Sequence, residues 1–567
     1  GFYEMAVATH GVEGKETIDT LSRVAGAYAE VGRHDEAITR HRQVVDATRR
    51  LLGDAHRTVT KRVSRLAIAL HNAHRSDEAI ALNRELVERT TAELGPDSYL
   101  THEVQFALAA ALDRGKHHAE ALKLAETTYA KLLVSGGPEA SATVKVRQVI
   151  DHARQELVKA HLADSKAARE EGRAADALAA CEEAVALARL RVSEDPKPLR
   201  RHWLGKALSS LADVLRSEEA LDEAEAAYEE AIGLFGALDE ETPTKETYGL
   251  WQANLLSRLA VMRGKAGADT LDPWRRCLTV RERHLARFPD WDKGPGAIAV
   301  ARKQLAPALG SQAKRLRDEE AYDDAKAAYE EAIALYGALA EEDDAKAAYS
   351  LWGGSLLAQL AVTLDKAGDD ALEVWQRCLA VRVRHLARFP GWDKGPGAIA
   401  VARRQVGKRL SEAGDFEGAC EALAAALATE QAASEAAPED DAVAYRVVQT
   451  ASLAARAHLG LGELSPAMAL TEACIEGLRA LLSGFEPTKV RRQGLAKMLE
   501  RLGDLRSLGG SPRDAPALWQ EGREIVAALR AEFPDWEDGE AAEARLHSRL
   551  AGETTAEEMA EHQGLGG

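Results

Sequence analysis

Residues Glu219 to Arg302 return almost residue for residue as Glu320 to Arg403. Tyr228 recurs as Tyr329, Trp251 as Trp352, Cys277 as Cys378 and Trp291 as Trp392, always 101 positions on, and RHLARFPDWDKGPGAIAVAR recurs as RHLARFPGWDKGPGAIAVAR. An offset without slippage marks a duplicated structural unit. Each copy holds helical pattern enough for two hairpins, and a hairpin cannot bury its apolar faces alone. The copies must therefore stack on neighbours, and the expected fold is an all-α, right-handed superhelical solenoid of about eleven helical hairpins.

Composition agrees with this expectation. Phe, Trp and Tyr together make up 5% of the 567 residues, alanine is abundant, and strand-like alternation is hard to find. No apolar run reads as long enough to span a bilayer and no signal peptide is evident, so a soluble, cytoplasmic protein without a membrane partner is expected. The net charge of -18 is unevenly spread: residues 1–150 carry 20 Lys+Arg against 20 Asp+Glu, leaving 53 against 71 beyond. An acidic chain with a pI near 5.5 argues against nucleic acid as a partner. The five cysteines lack short metal-ligand spacing and read as buried, reduced packing residues, with Cys277, Cys378 and Cys474 at small-residue positions of second helices.

A finer frame runs through the first third. In TLSRVAGAYAEVGRHDEAI, residues Leu21, Val24, Ala25, Tyr28, Gly32 and Ala37 combine small residues for close helix contact with a Gly that releases the chain into a turn. The frame returns 42 residues on with Leu66, Ala67, Leu70 and Ala79, and again with Ala109, Leu112 and Ala121. Gly11, Gly53, Gly95 and Gly137 keep the same spacing, and LGDAH is echoed by LGPDS. These units resemble the tetratricopeptide repeat, in particular the 42-residue kinesin-light-chain variety. That resemblance implies kinship with arrays in bacterial signalling proteins, often attached to an NB-ARC or similar ATPase. Where that family favours Asn just before the Leu-Ala pair, this chain carries Arg23 and Arg65.

The organisation expected is 1–150 as kinesin-light-chain-like units, 151–218 as further tetratricopeptide-like repeat, 219–403 as the duplicated block, 404–536 as three units spaced by 48, and 537–567 as a capping helix with a frayed tail, EHQGLGG. Gly11 closes a repeat whose second helix would begin before residue 1, so sequence upstream is expected, with Phe2, Tyr3, Met5 and Ala6 ending a helix.

Repeat position puts Ser22, Lys61, Ser64, Ile68, His71, Phe106, Asp113 and Arg114 on a concave groove, a neutral and mixed surface suited to a protein or peptide partner read by shape and hydrogen bonds. FPDWDKGPGAIAVAR admits two readings. Free N–H groups beside Lys293 and Arg302, and beside Lys394 and Arg403 in the second copy, form an anion-binding candidate. Alternatively Phe288 and Trp291 plug a gap between repeats while Gly-Pro-Gly turns the chain, the reading favoured for a motif copied with its scaffold. His71, His74, His117 and His118 have no carboxylate or Cys at ligand spacing, so no metal is expected, nor any cofactor. The Glu pairs in AAYEEAI read as solvated faces. P-loop, H-E-x-x-H, G-x-S-x-G and kinase signatures are missing, so no catalytic residues are named and no enzyme is expected. The function expected is a protein-interaction scaffold. The alternative is a sensor arm acting on an effector or ATPase domain of the same or another chain.

Overall fold

The computed structural model describes residues 2–343 and 345–565. Among them are twenty-five α-helices and no strand. The helices form two compact units, one ending at Trp291 and one beginning at Asp292. The first opens with α1 (Phe2–His10) and continues as antiparallel hairpins α2 (Lys15–Glu30) with α3 (His34–Leu52), α4 (Arg57–Asn72) with α5 (Ser76–Leu94), α6 (Tyr99–Arg114) with α7 (His118–Gly136), α8 (Ser141–Glu170) with α9 (Ala174–Glu194), α10 (Pro198–Ser217) with α11 (Leu221–Glu241), and α12 (Glu246–Lys265) with α13 (Leu271–Arg287). The second holds α14 (Gly294–Asp318) with α15 (Tyr322–Glu342), α16 (Ala347–Ala367) with α17 (Leu372–Arg388), α18 (Gly395–Glu412) with α19 (Phe416–Ala436), α20 (Asp441–Gly460) with α21 (Leu464–Gly484), and α22 (Lys489–Leu508) with α23 (Ala515–Glu532), followed by α24 (Gly539–Ala551) and α25 (Ala556–His562). The hairpins number eleven, as the periodicity predicts.

One turn makes all eleven. In ten hairpins the second residue past the first helix adopts a left-handed conformation, in the other the first residue, Gly368, does so, and in all of them the next N–H donates to the carbonyl five residues back. Arg33 donates to Tyr28 at 2.9 Å, Arg75 to Leu70 at 2.8 Å and Arg173 to Ala168 at 2.8 Å. This 6→1 bond satisfies a carbonyl that the helix end leaves open. Glycine takes the left-handed position in seven hairpins, from Gly32 (φ +77) to Gly510 (φ +86), whereas His74, Lys116, Glu219 and Glu320 take it in the others at φ +61 to +67. Five residues after that turn stands an alanine on the second helix in nine of the hairpins. Ala37, Ala121, Ala224 and Ala419 are wholly buried, so no larger side chain fits between the helices.

The connections between hairpins change along the chain. In the first units Gly53, Gly95 and Gly137 end the second helices at φ +79 to +83. Beyond them Asp195, Thr242, Phe288, Phe389 and Ala437 do so at negative φ, which any residue adopts, so the spaced glycines disappear there without loss of the hairpins.

Repetition also places charges. Arg42 bonds Glu78 at 2.8 Å and, one repeat on, Arg84 bonds Glu120 at 2.6 Å, each joining successive second helices. Glu229 and Glu330 of AAYEEAI each take both nitrogens of an arginine, Arg276 at 2.8 and 2.9 Å and Arg377 at 2.9 and 3.0 Å, and Glu230 takes Arg189. The AAYEEAI glutamates are thus inter-helix pairs rather than simply solvated. At partly exposed positions each is worth about 0.2–1 kcal/mol, enough to favour one register.

Several expectations need correction. The 150/151 and 403/404 divisions fall inside α8 and α18; the second does so because the 101-residue copies begin at left-handed turn residues, Glu219 and Glu320, and not between hairpins. As far as Leu565 the tail does not simply fray: α25 carries a capping box at Thr555 and Glu558, Gln563 accepts from Arg501 and donates to Asp504, and Leu565 packs on Leu459, Ala467 and Leu505, while the last two residues of EHQGLGG lie outside the described residues. One helix, α16, is long and apolar enough by composition to cross a membrane, contrary to the hydropathy reading. Its Tyr349, Gly353, Leu357, Leu360 and Ala361 are buried against neighbouring helices. Of the five cysteines, Cys420 is only half-buried. The thiols of Cys277, Cys378 and Cys474 donate to carbonyls of their own first helices at 3.4, 3.3 and 3.5 Å, and burial pushes Cys474 up to about 12.

Two predictions follow from these turns and thiols. Lys116→Gly relieves a left-handed backbone on an exposed residue and should raise the urea midpoint, by an amount equivalent to about 0.5–1 kcal/mol; an unchanged or lower midpoint contradicts the strain. Titration with a thiol reagent should modify Cys420 alone in the native chain and all five cysteines after denaturation.

Candidate functional site

In the first unit, α4, α6 and α8 lie side by side and leave a groove of about 660 Å³. It exists because its floor is short: Ala67, Ala107, Ala110, Ala111 and Ala142 line it where larger side chains would fill the space. Above the floor stand Lys61, Ser64, Ile68 and His71 from α4, Phe106, Asp113 and Arg114 from α6, and Lys145, Val149 and His152 from α8. The helical period brings Lys61, Ser64, Ile68 and His71 to one face, since they are spaced by three and four.

Seven of the eight expected groove residues line this space; Ser22 does not. It is buried on α2, and its Oγ accepts hydrogen bonds from Arg62 at 2.7 Å and Arg65 at 3.0 Å, so the two α4 guanidinium groups cover it. Phe106 is half-buried: one side lines the groove while the ring also packs with Ala109, Leu132, Val146 and Ile150. Ile68 is 40% exposed with no polar function to satisfy. His71 Nδ1 lies 2.9 Å from Ser76 Oγ, and burial, helped by the charge of Arg114, holds its imidazole below the ordinary range, so it is neutral at pH 7.

The groove is not electrically mixed as the first 150 residues suggest. Arg57, Lys61, Arg65, Arg114 and Lys145 line it against Glu103 and Asp113. Glu103 is neutralised by Arg57 in a two-fold bond of 2.7 and 3.0 Å, and Asp113 is engaged by two histidines. Lys61, Arg114 and Lys145 have no ion-pair partner among the described residues. The balance of a whole segment does not reveal that its cations are sorted to one face.

The histidines also sort differently from expectation. His74 is the exposed left-handed turn residue and His117 precedes α7 at the surface, so neither joins His71. His118, at the start of α7, instead places Nδ1 2.8 Å from Asp113 Oδ1, while His152 of α8 places Nδ1 2.6 Å from Asp113 Oδ2. Periodicity exposes the 113–118 pair, because His71 and Ser76 occupy the same positions one repeat earlier; it gives no hint of His152.

The anion candidates do not converge. Lys293 and Lys394 are exposed at the residues preceding α14 and α18, Arg302 pairs with Glu342 of α15, and Arg403 is half-buried further along α18. Nine residues of helix separate each Lys from its Arg by about 13 Å. The aromatic residues fit the scaffold reading: His284 sits between Phe288 and Trp291, each at 4.8 Å, and His385 between Phe389 at 4.9 Å and Trp392 at 4.8 Å. In the second copy the Trp392 ring also covers Gly395, where an added Cβ would lie 2.8 Å from it. Gly395→Ala should therefore lower the thermal midpoint, at a cost of about 1–3 kcal/mol, whereas Gly397→Ala, with open space around it, should leave it unchanged or slightly raised.

Residues 17–58 match the tetratricopeptide repeat family model. No curated protein matches the chain. Among solved structures, two forms of a putative kinesin light chain with nearly identical TPR-like repeats from Podosopora anserina are 20% and 18% identical, cover 40% of this chain and 97% and 96% of their own, and give a TM-score of 0.25. Yeast Tom70 is 14% identical over 94% of this chain and 98% of its own, with a TM-score of 0.23.

Proposed function

We propose that this tetratricopeptide-repeat protein, whose first units resemble those of kinesin light chains, is an interaction scaffold that receives an acidic peptide segment of a partner protein along the α4–α6–α8 groove. The observation that carries this reading is the unpaired cationic lining on a chain of net charge -18. Like charges over the rest of the surface repel an acidic partner, and the groove attracts it, so charge favours one docking place. Ile68 and the open side of Phe106 supply apolar contact, and the alanine floor lets a backbone approach closely. Tolerance of an extended or helical segment follows from a groove open along its length. A specific interface needs roughly 800 Å² from each partner, more than one hairpin offers, so contacts must spread across several repeats.

A random-peptide display library selected on the full chain tests this. Selected peptides should be enriched in Asp and Glu, and Lys61→Glu combined with Arg114→Glu should weaken their binding at least tenfold while helicity stays constant. Phe106→Ala should weaken it further. Peptides without acidic enrichment, or equal binding to the charge-reversed chain, would overturn the reading.

A further inference from the structure

We infer that Asp113, His118 and His152 form a binding site for a divalent transition-metal ion of the Zn²⁺ class. The three side chains come from three helices, the end of α6, the start of α7 and the middle of α8, and their candidate ligand atoms all lie within 4.8 Å of one another. Both imidazoles present the same nitrogen, Nδ1, to the two oxygens of one carboxylate, at 2.8 and 2.6 Å. The ring centroids stand 6.2 Å apart and the planes are inclined by 64°, which leaves room between the rings instead of stacking them.

Repeat register shows how specific this assembly is. The positions equivalent to Asp113, His118 and His152 one repeat earlier are His71, Ser76 and Ala110. The turn of the hairpin brings the first two together in both repeats, as the His71–Ser76 contact shows, so juxtaposition is a property of the scaffold. A carboxylate and two imidazoles occur together at the later repeat alone, so the ligand set is an addition to the repeat pattern.

The donor set selects the ion. Two imidazole nitrogens and one carboxylate oxygen suit Zn²⁺ and its neighbours, whereas Ca²⁺ and Mg²⁺ require more oxygen ligands than this site holds. Bond lengths near 2.0 Å place tetrahedral ligands about 3.3 Å apart, so the pairs must open by about half an ångström. His152, with a side chain 55% exposed, has the freedom to move. Each imidazole ligates through a deprotonated Nδ1: a neutral ring shifts its proton from Nδ1 to Nε2 by exchange with water and a charged ring releases its Nδ1 proton to water, so both end neutral with the proton on Nε2. For His152 that proton faces Glu156, whose oxygen lies 4.0 Å away and is itself held by Lys159 at 2.6 Å; a carboxylate behind a ligating histidine is a common orienting partner. Asp113 and His152 line the groove, so the remaining coordination position opens toward it.

The test is calorimetric titration of Zn²⁺ into the chelator-treated 567-residue chain, repeated with His152→Ala, His118→Gln and, as a control, His117→Ala. One equivalent should bind to the unaltered chain and to His117→Ala. Removing His152 or His118 should cost more than the roughly 10–100-fold that loss of an outer partner causes. Co²⁺ should give the visible absorption of a four-coordinate ion, lost in His152→Ala. Because His152 is largely exposed, circular dichroism of its variant should be unchanged. Absence of a saturable equivalent, or a loss under tenfold in His152→Ala with helicity intact, overturns the assignment. The peptide-binding test uses Lys61 and Arg114, so either inference can fail without the other.

Discussion

Everything in this structure depends on how closely two helices of a hairpin approach, and in nine of the eleven hairpins an alanine five residues past a left-handed turn sets that distance. With Ala37, Ala121, Ala224 or Ala419 at full burial, dispersion contacts form along the length of both helices, and the hairpin presents an apolar surface that it cannot bury itself. The next hairpin covers that surface. Stability is therefore largely a sum over neighbours, and no single residue cluster serves as the core. The buried clusters reflect this, each drawing on adjacent helices: Ile38, Val59, Leu66, Leu86 and Val104 in one, Ile475, Leu478, Leu495 and Leu499 in another.

Neighbour-by-neighbour packing leaves local chemistry free to vary. The duplicated block shows it where the copies differ. In the first, buried Asp239 pairs with Arg283 and Arg287, both at 3.1 Å, beside Gly249 and His284. In the second, Ala340 and Ser350 replace Asp239 and Gly249, and Ser350 Oγ lies 2.6 Å from His385 Nδ1. An added Cβ at Gly249 would lie 3.1 Å from Asp239 and 3.2 Å from His284, so the carboxylate and a serine are alternative ways to occupy one space. The same tolerance permits the Asp113–His118–His152 arrangement on an ordinary hairpin turn.

The groove depends on absence as much as presence. Alanines along its floor leave the volume, and α8, longer than its counterparts at thirty residues, walls one side. Among the described residues Lys61, Arg114 and Lys145 around it have no ion-pair partner, because glutamates of the first units are used elsewhere: Glu78 and Glu120 tie second helices together, and Glu103 holds Arg57. Charge is thus distributed by the ladder of inter-repeat pairs, and the groove face receives the surplus of cations.

The sequence by itself determined the helical class, the number of hairpins, the turn positions and seven residues of the groove, because each follows from the helical period of 3.6, which local sterics impose, or from repeats of 42, 48 and 101 residues written in the chain. For the FPxWDKGPG turns it left two readings open, and their duplication only favoured the structural one. Only the tertiary structure decided which polar groups meet. His152 reaches Asp113 across thirty-nine positions of chain, Arg62 and Arg65 cover Ser22 across forty or more, and Gln563 returns to Asp504 across fifty-nine. Such contacts depend on the rotation of one hairpin against the next, a quantity set by packed side-chain volumes, and periodicity carries no record of it.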